Sequence, residues 1–351
     1  MEIFERMSRM GHEQVAFWSE SELGYRGIIA IHDTTLGPAL GGTRFWNYRT
    51  DEEALVDVLR LSHGMTYKAA IAGVNLGGGK SVIMGNNRTS DRELIFRAHG
   101  RAVEALAGRY ITAEDVGTSV DDMEYVRMET DSVVGLHSGL GDPSPVTAYG
   151  VFHGIRASAR QKFGDDSLAN RHITLQGLGN VGSNLCRLLT EAGARITVTD
   201  IDPERVRRME KEFGATGVDP DEIYGVEADI FAPCALGAVV NDDTLKVLRV
   251  QVVAGGSNNQ LAQPRHGEEL HKRGVLYAPD YVINAGGLIN VYGERQDWDA
   301  QRCMRKAGEI YGTLLRIFAR AEEDDVPTHQ AANHLAEQRI REVRHLQRSW
   351  L

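Results

Sequence analysis

The chain has 351 residues, is 42% hydrophobic and 25% charged, and carries a formal net charge of −10. That length calls for two domains, since single cores rarely grow past about 250–300 residues, and the acidity argues against nucleic acid or an anionic membrane as partner. No apolar run approaches the roughly 18 residues of a membrane span, the N-terminal stretch MEIFERMSRMGHEQ lacks an apolar signal region, and three scattered cysteines (Cys186, Cys234, Cys303) give neither a disulfide framework nor metal-ligand spacing, which fits the cytoplasm and no metal.

In chain order, QVAFWSESELGYRGIIAIHDT reads as two strands around a Glu-Leu-Gly turn. GPALGGTRFW then breaks the pattern with glycine and proline. TDEEALVDVLRLSHGM reads as a helix, with Thr50 as N-cap and Glu53 three residues later as a capping box. Apolar residues at 54, 55, 58, 59 and 61 mark its buried face, and Gly64 marks its expected end, with His63 near that end as a surface or capping residue.

NLGGGKSV, residues 75–82, resembles a phosphate loop only at its end. A P-loop requires a glycine six residues before the lysine, but Val74 holds that place before Lys80, and Gly73 is one place too early. This leaves a glycine turn with a solvated lysine, or a lysine set up for chemistry. Helices are expected at about 90–107 and 121–129, a boundary at GDPSPVTAYG, and a helix over TAYGVFHGIRASARQKF.

Beyond it, HITLQGLGNVGSNLCRLLTEAGARITVTDID reads as strand, glycine turn, helix and strand. ADIFAPCA, VQVVAGGSN and GVLYAPDYVINAGG are further short apolar runs, so a parallel sheet covered on both faces is expected. The fold class is α/β: an N-terminal α/β domain over 1–143, a Rossmann-like doubly wound domain over 144–326, and a cleft between them that closes during the reaction. Helical residues 327–351 return to the first domain.

Gly177-Leu178-Gly179-Asn180-Val181-Gly182 is a complete G-x-G-x-x-G between a strand and a helix. The glycines allow a tight turn, a close backbone approach to a pyrophosphate and tight helix–strand packing, and the helix N-terminus favours the negative charge. Asp200 ends the next strand, where a carboxylate accepts hydrogen bonds from ribose hydroxyls and repels a 2′-phosphate. NAD is therefore expected over NADP, with Arg205 and Arg207 nearby keeping that choice open. In the first domain, Lys68, Lys80 and Asp115 stand out. Two ammonium groups facing one dry cleft lower one another's pKa, so that one serves as base while the other pairs with a substrate carboxylate. Each also has a plain reading, a surface charge or a loop cap.

Nine blocks, LGPALGGTR, GMTYKAA, NLGGGKSV, ITAEDVGT, PSPVTAYGV, QGLGNVGSN, APCALGAVVN, GSNNQL and YAPDYVINAGGLINV, occur in order from about residue 36 to 291. Together they resemble the Glu/Leu/Phe/Val amino-acid dehydrogenase family, most closely its leucine dehydrogenases. The resemblance implies NAD-dependent oxidative deamination of a small-molecule L-amino acid to its 2-oxo acid and ammonia. It implies that Lys68 holds the substrate carboxylate, Lys80 activates water and Asp115 shuttles protons at the amino nitrogen. It further implies backbone approach to the substrate at Gly41 and Gly42, and a side-chain wall of Leu40, Met65, Ala113, Val134 and Val291. Asn259 helps place substrate or cofactor. Thr147, Ala235, Asn258 and Asn284 join the glycine loop and Asp200 on the cofactor.

Glutamate is rejected, because its γ-carboxylate against Leu40 would cost several kcal/mol of desolvation. Leu40, Ala113 and Val291 match the leucine type, whereas Gly-Gly-Gly-Lys matches valine and phenylalanine members and Val134 stands where a threonine is expected. Leucine is favoured, with valine and isoleucine overlapping and phenylalanine or tryptophan open. The other readings are a 2-hydroxy-acid dehydrogenase, for which no His–carboxylate–arginine trio is found, and a non-catalytic NAD-binding sensor. The family implies a homo-oligomer, often an octamer.

Overall fold

The computed structural model describes residues 3–348, and the chain divides into two units. The first runs to Gly141 and takes in Glu294–Asp297 and the chain from Ala336 onward; the second comprises Asp142–Gly293 and Trp298–Leu335.

The first unit begins with α1 (Ile3–Met10), β1 (Gln14–Glu20), β2 (Tyr25–Asp33), β3 (Ala39–Trp46) and α2 (Asp51–Ala72). It continues with β4 (Gly77–Met84), α3 (Arg92–Glu104), β5 (Tyr110–Glu114) and α4 (Val120–Arg127). Its sheet has the order β1-β2-β4-β3-β5. The β1–β2 and β2–β4 pairs are antiparallel, and β3 lies parallel between β4 and β5. Ile28, Ala30 and Val82 pack with Ala54, Leu55, Val58 and Leu59 of α2, while Phe45 and Ile83 pack with Phe96 and Met123.

Two expectations are corrected here. GPALGGTRFW and NLGGGKSV, read as a break and a turn, supply β3 and β4, the central strands of the sheet. Their glycines serve close packing: a Cβ at Gly78 would lie 2.1 Å from Thr66 Oγ1 and 2.2 Å from Thr66 N. The helix expected to end at Gly64 runs on two turns further, to Ala72, and its left-handed cap is Gly73 at φ +69°. Packing of Thr66, Ala69 and Ala70 against the unit outweighs the roughly 1 kcal/mol that a mid-helix glycine costs. Thr50 does cap α2 by accepting from Glu53 N, but the Glu53 carboxylate takes the Arg49 N–H rather than closing the box. His63 therefore lies within the helix, stacked on Tyr67 and edge-on to His32.

The second unit contains α5 (Ser144–Phe163), β6 (His172–Gln176), α6 (Asn180–Glu191), β7 (Arg195–Thr199), α7 (Pro203–Phe213), β8 (Thr216–Gly217) and β9 (Ile230–Pro233). Then come α8 (Thr244–Val247), β10 (Val252–Val253), α9 (Pro264–Lys272), β11 (Leu276–Tyr277), α10 (Asp280–Ile283), α11 (Gly286–Arg295), α12 (Ala300–Gly308), α13 (Ile310–Asp324) and α14 (Thr328–Arg348). The strands form one parallel sheet, β11-β10-β9-β6-β7-β8, whose order reverses at β6. Ligands of such sheets sit at the strand ends beside that reversal.

From Ala336 onward α14 packs with the first unit. Ala336 and Ile340 meet Leu36 and Ala70, Tyr67 donates to Glu337 at 2.9 Å, and Arg344 pairs with Asp33. Arg339 donates to the Ala70 carbonyl at 2.7 Å, placing a cation at the C-terminal end of α2. Among the described residues no helix is long and apolar enough to cross a membrane.

Candidate active site

Strand register assembles the site of the first unit. Leu40 pairs with Gly78 on one side and Ile111 on the other, and Gly42 pairs with Ala113. Alternation along β3 puts Leu40, Gly42 and Arg44 on one face. A Cβ at Gly42 would come within 2.4 Å of the Glu114 carbonyl and 2.9 Å of Asp115 Cβ, so glycine lets the chain bearing Asp115 lie against β3. The Asp115 backbone is held by Thr118, whose hydroxyl accepts from Asp115 N at 2.8 Å and bonds the Thr43 carbonyl at 3.1 Å.

Lys80, 5% exposed, brings its ammonium to 3.1 Å from Asp115 Oδ1. Burial pushes the Lys80 pKa down; Asp115 opposes that and Arg44 adds to it, leaving it below the ordinary lysine value. Burial alone would raise the Asp115 carboxyl, but Lys80 and Arg44 bring it below the ordinary aspartate value. Arg44 is bonded to this pair: its Nε donates to Asp115 Oδ2 at 2.9 Å and its Nη1 donates to Asp57 Oδ2 at 2.8 Å. Tyr48 and Arg60 donate to Asp57 at 2.7 and 3.0 Å. Sequence reasoning missed Arg44, Asp57 and Tyr48. For Arg44 the available signal was period-2 alternation, which only applies once GPALGGTRFW is read as a strand.

Behind the sheet, a sealed polar network fixes these strands against one another. Thr43 Oγ1 lies 2.7 Å from Ser81 Oγ and 2.5 Å from Thr112 Oγ1. His99 joins Thr43 through Nε2 at 2.9 Å and Tyr25 through Nδ1 at 2.9 Å, and Tyr110 donates to the Gly41 carbonyl at 2.6 Å. Burial pushes the His99 pKa down to about 3, so the imidazole stays neutral.

Among the other candidates, Leu40, Ala113 and Val134 are buried, and Val134 N donates to the Thr112 carbonyl at 3.0 Å. Met65 and Lys68 are half-buried on α2. Asn259 and Val291 belong to the second unit; Asn259 is exposed, in the left-handed region at φ +51°.

In the second unit Gly177 turns at φ +92°, and a Cβ at Gly182 would lie 1.9 Å from the Gly177 carbonyl oxygen, so the loop tolerates only glycine there. A Cβ at Gly179 would meet nothing nearer than Arg205 Nη1 at 4.0 Å, which leaves the N-terminus of α6 open to a phosphate. Asp200 accepts from Leu178 N at 2.6 Å and from Asp202 N at 2.9 Å. Beside it a cavity of about 570 Å³ is lined by Asp200, Ile201, Val206, Arg207 and Val218, with Ile201 92% exposed. The cavity mixes apolar Ile201, Pro203, Val206 and Val218 with the carboxylates of Asp200, Glu210, Asp219 and Glu222, and it opens beside the glycine loop. Asn284 donates to Asn258 Oδ1 at 2.7 Å, Thr147 Oγ1 to the Pro143 carbonyl at 2.9 Å, and exposed Ala235 packs against Gly177.

Known proteins give the same outline. Residues 12–132 match the model of the Glu/Leu/Phe/Val dehydrogenase dimerisation domain. Residues 139–204 and 201–348 match that of glutamate/leucine/phenylalanine/valine dehydrogenase. The chain is 54% identical over 347 residues to a leucine dehydrogenase of Geobacillus stearothermophilus, covering 98% of this chain and 95% of that one. It is 47% identical to a phenylalanine dehydrogenase of Bacillus thermotolerans, covering 97% and 90%. The crystal structure of L-tryptophan dehydrogenase from Nostoc punctiforme superposes with a TM-score of 0.89 at 47% identity, covering 97% and 99%.

Proposed function

The chain belongs to the glutamate/leucine/phenylalanine/valine dehydrogenase family, and on that premise we propose that this NAD-dependent amino-acid dehydrogenase deaminates branched-chain L-amino acids, leucine before valine and isoleucine. The carrying observation is the buried Lys80–Asp115 pair beside an apolar wall of Leu40, Ala113 and Val134.

An L-amino acid, water and NAD⁺ give a 2-oxo acid, ammonium, NADH and a proton. NAD, held by the loop Gly177–Gly182, Asp200 and the cavity at Ile201, supplies the hydride acceptor. Lys68 pairs with the substrate carboxylate. Asp115 takes and returns protons at the amino nitrogen. Lys80, with its pKa lowered by burial, draws a proton from the water that adds to the imine carbon. The same water oxygen becomes the carbonyl of the 2-oxo acid as ammonia leaves. In the first unit the side chain rests on Leu40, Ala113, Val134 and Met65.

A panel of L-amino acids with NAD and NADP, read by absorbance of the reduced cofactor, tests this. The expected result is highest kcat/KM with leucine and NAD, with valine and isoleucine within about 200-fold, since one methylene in an apolar pocket is worth about 1–3 kcal/mol. A higher kcat/KM with phenylalanine or tryptophan overturns the branched-chain assignment, and no turnover with any amino acid overturns the reaction. We place the enzyme in the cytoplasm as a homo-oligomer: its three thiols are free, and its first unit matches a dimerisation-domain model. A single-chain mass by light scattering refutes the oligomer.

A further inference from the structure

Lys80 and Asp115 do not form an isolated pair. They end a chain of charges, Lys80–Asp115–Arg44–Asp57, with links of 3.1, 2.9 and 2.8 Å. Arg44 comes from β3, Asp57 from α2 and Asp115 from the turn after β5, so one guanidinium ties together three elements. Its planar fork suits this: two separate N–H groups reach two carboxylates at fixed directions, which a single ammonium cannot do. Asp57 is itself fixed by Tyr48 and Arg60, so the far end of the chain is anchored.

The surroundings sharpen the point. A hollow of about 540 Å³ is lined by Arg44, Tyr48, Glu53, Asp57 and Arg60. Neither Lys80 nor Asp115 lines it. Arg44, with 20% of its side chain exposed, therefore meets this hollow on one side and the carboxylate of Asp115 on the other.

We propose that Arg44 is a positioning residue for amino-acid deamination, bridging Asp115 to Asp57 so that the second Asp115 oxygen stays on Lys80. This rests on the roles given above to Lys80 and Asp115. Asp115 has two oxygens, one on Lys80 Nζ and one on Arg44 Nε. Without Arg44 the carboxylate is free to rotate away from the amino nitrogen it serves. Among the charges acting on Lys80 are Asp115, Arg44 and Asp57. Arg44 lowers the Lys80 pKa and Asp57 raises it.

The test compares Arg44→Gln, Arg44→Lys and Asp57→Asn with the unaltered chain, by pH profiles of kcat with leucine and NAD and by NADH titration. Arg44→Gln is expected to lower kcat about 10²-fold, the scale of a small misplacement at a reacting centre, while NADH affinity is retained. Loss of a cation makes Lys80 more basic, so the acidic limb of the profile moves to higher pH. Asp57→Asn removes an anion, and the limb moves the other way. Arg44→Lys restores the limb but not kcat. Opposed shifts cannot come from general loosening of the fold, and Asp57→Asn, nearly isosteric, supplies a reading if Arg44→Gln fails to fold. Limbs that stay in place or move together overturn the proposal. If the Lys80→Ala enzyme loses turnover while the Arg44 and Asp57 variants keep theirs, only the Arg44 inference falls. If the Lys80→Ala enzyme turns over normally, the underlying reading falls with it.

Discussion

At the scale of single residues, the proposed reaction rests on an ammonium that gives up its proton more readily than usual. Lys80 has the environment for this: it is nearly sealed, with the carboxylates of Asp115 and Asp57 stabilising its charge and the Arg44 guanidinium opposing it. Its expected contribution as general base is about 10²–10⁴ in kcat. Lys80→Ala should therefore abolish most turnover in a steady-state NADH assay while leaving NADH binding intact, because the loop Gly177–Gly182 and Asp200 lie in the other unit. Equal turnover in mutant and parent defeats the role given to Lys80. Lys80 and Asp115 entered as candidates through a lysine after three glycines and a carboxylate in ITAEDVGT, both blocks of the family resemblance. Arg44 did not, since an arginine before Phe45 and Trp46 carries no mark in the sequence until the strand and its inward face are known.

At the scale of elements, what was legible followed periodicity and what was missed lay in glycine. The strand–turn–helix–strand unit at 172–202 and the helices near 92–104, 120–127 and 144–163 follow their hydrophobic pattern and caps. The strands β3 and β4 do not, because both run through the tightest part of the unit and use glycine where other strands use valine or isoleucine. The same residue type inside α2 misplaced its end, since Gly64 and Gly73 look alike in sequence and only Gly73 adopts a positive φ. These two kinds of glycine predict opposite substitutions. Gly78→Ala sets a Cβ 2.1 Å from Thr66 Oγ1 and 2.2 Å from the Thr66 nitrogen, where backbone cannot give way. It should cost about 1–3 kcal/mol. Gly64→Ala meets no atom within 4 Å and should stabilise by about 0.4–1 kcal/mol by restricting the unfolded chain. Thermal melts of the two variants give shifts of opposite sign; a Gly78→Ala melt at or above the parent's shows that α2 does not bind β4 as described.

At the scale of the whole molecule, the histidines set how it meets acid. Burial pushes the pKa of His99 down to about 3 and those of His12 and His63 down to about 4, with neighbouring His32 adding to the shift at the last two. The ordinary value is 6.5. Between these limits the unfolded chain binds protons that the folded chain refuses, so stability rises with pH and is lost as pH falls below about 6.5. Each such histidine contributes a slope of up to about 1.4 kcal/mol per pH unit. His137 acts in reverse, its pKa raised by a hydrogen bond to Asp121, but it is exposed and the pair is screened. The depressed Asp57 and Asp115 add an acid-labile contribution only below the ordinary aspartate value of 3.8. From pH 6.5 to 4.5 the buried histidines dominate the slope: burial lowers the pKa of His12, His32, His63 and His99 in the first unit and of His153 and His329 in the second. Urea midpoints should therefore fall steadily over that range. Deamination should be lost in the same window. A urea midpoint that stays level from pH 7 to 4.5 means that these imidazoles are charged in the folded protein, and with a charged His99 the sealed network behind β3, β4 and β5 could not form as described.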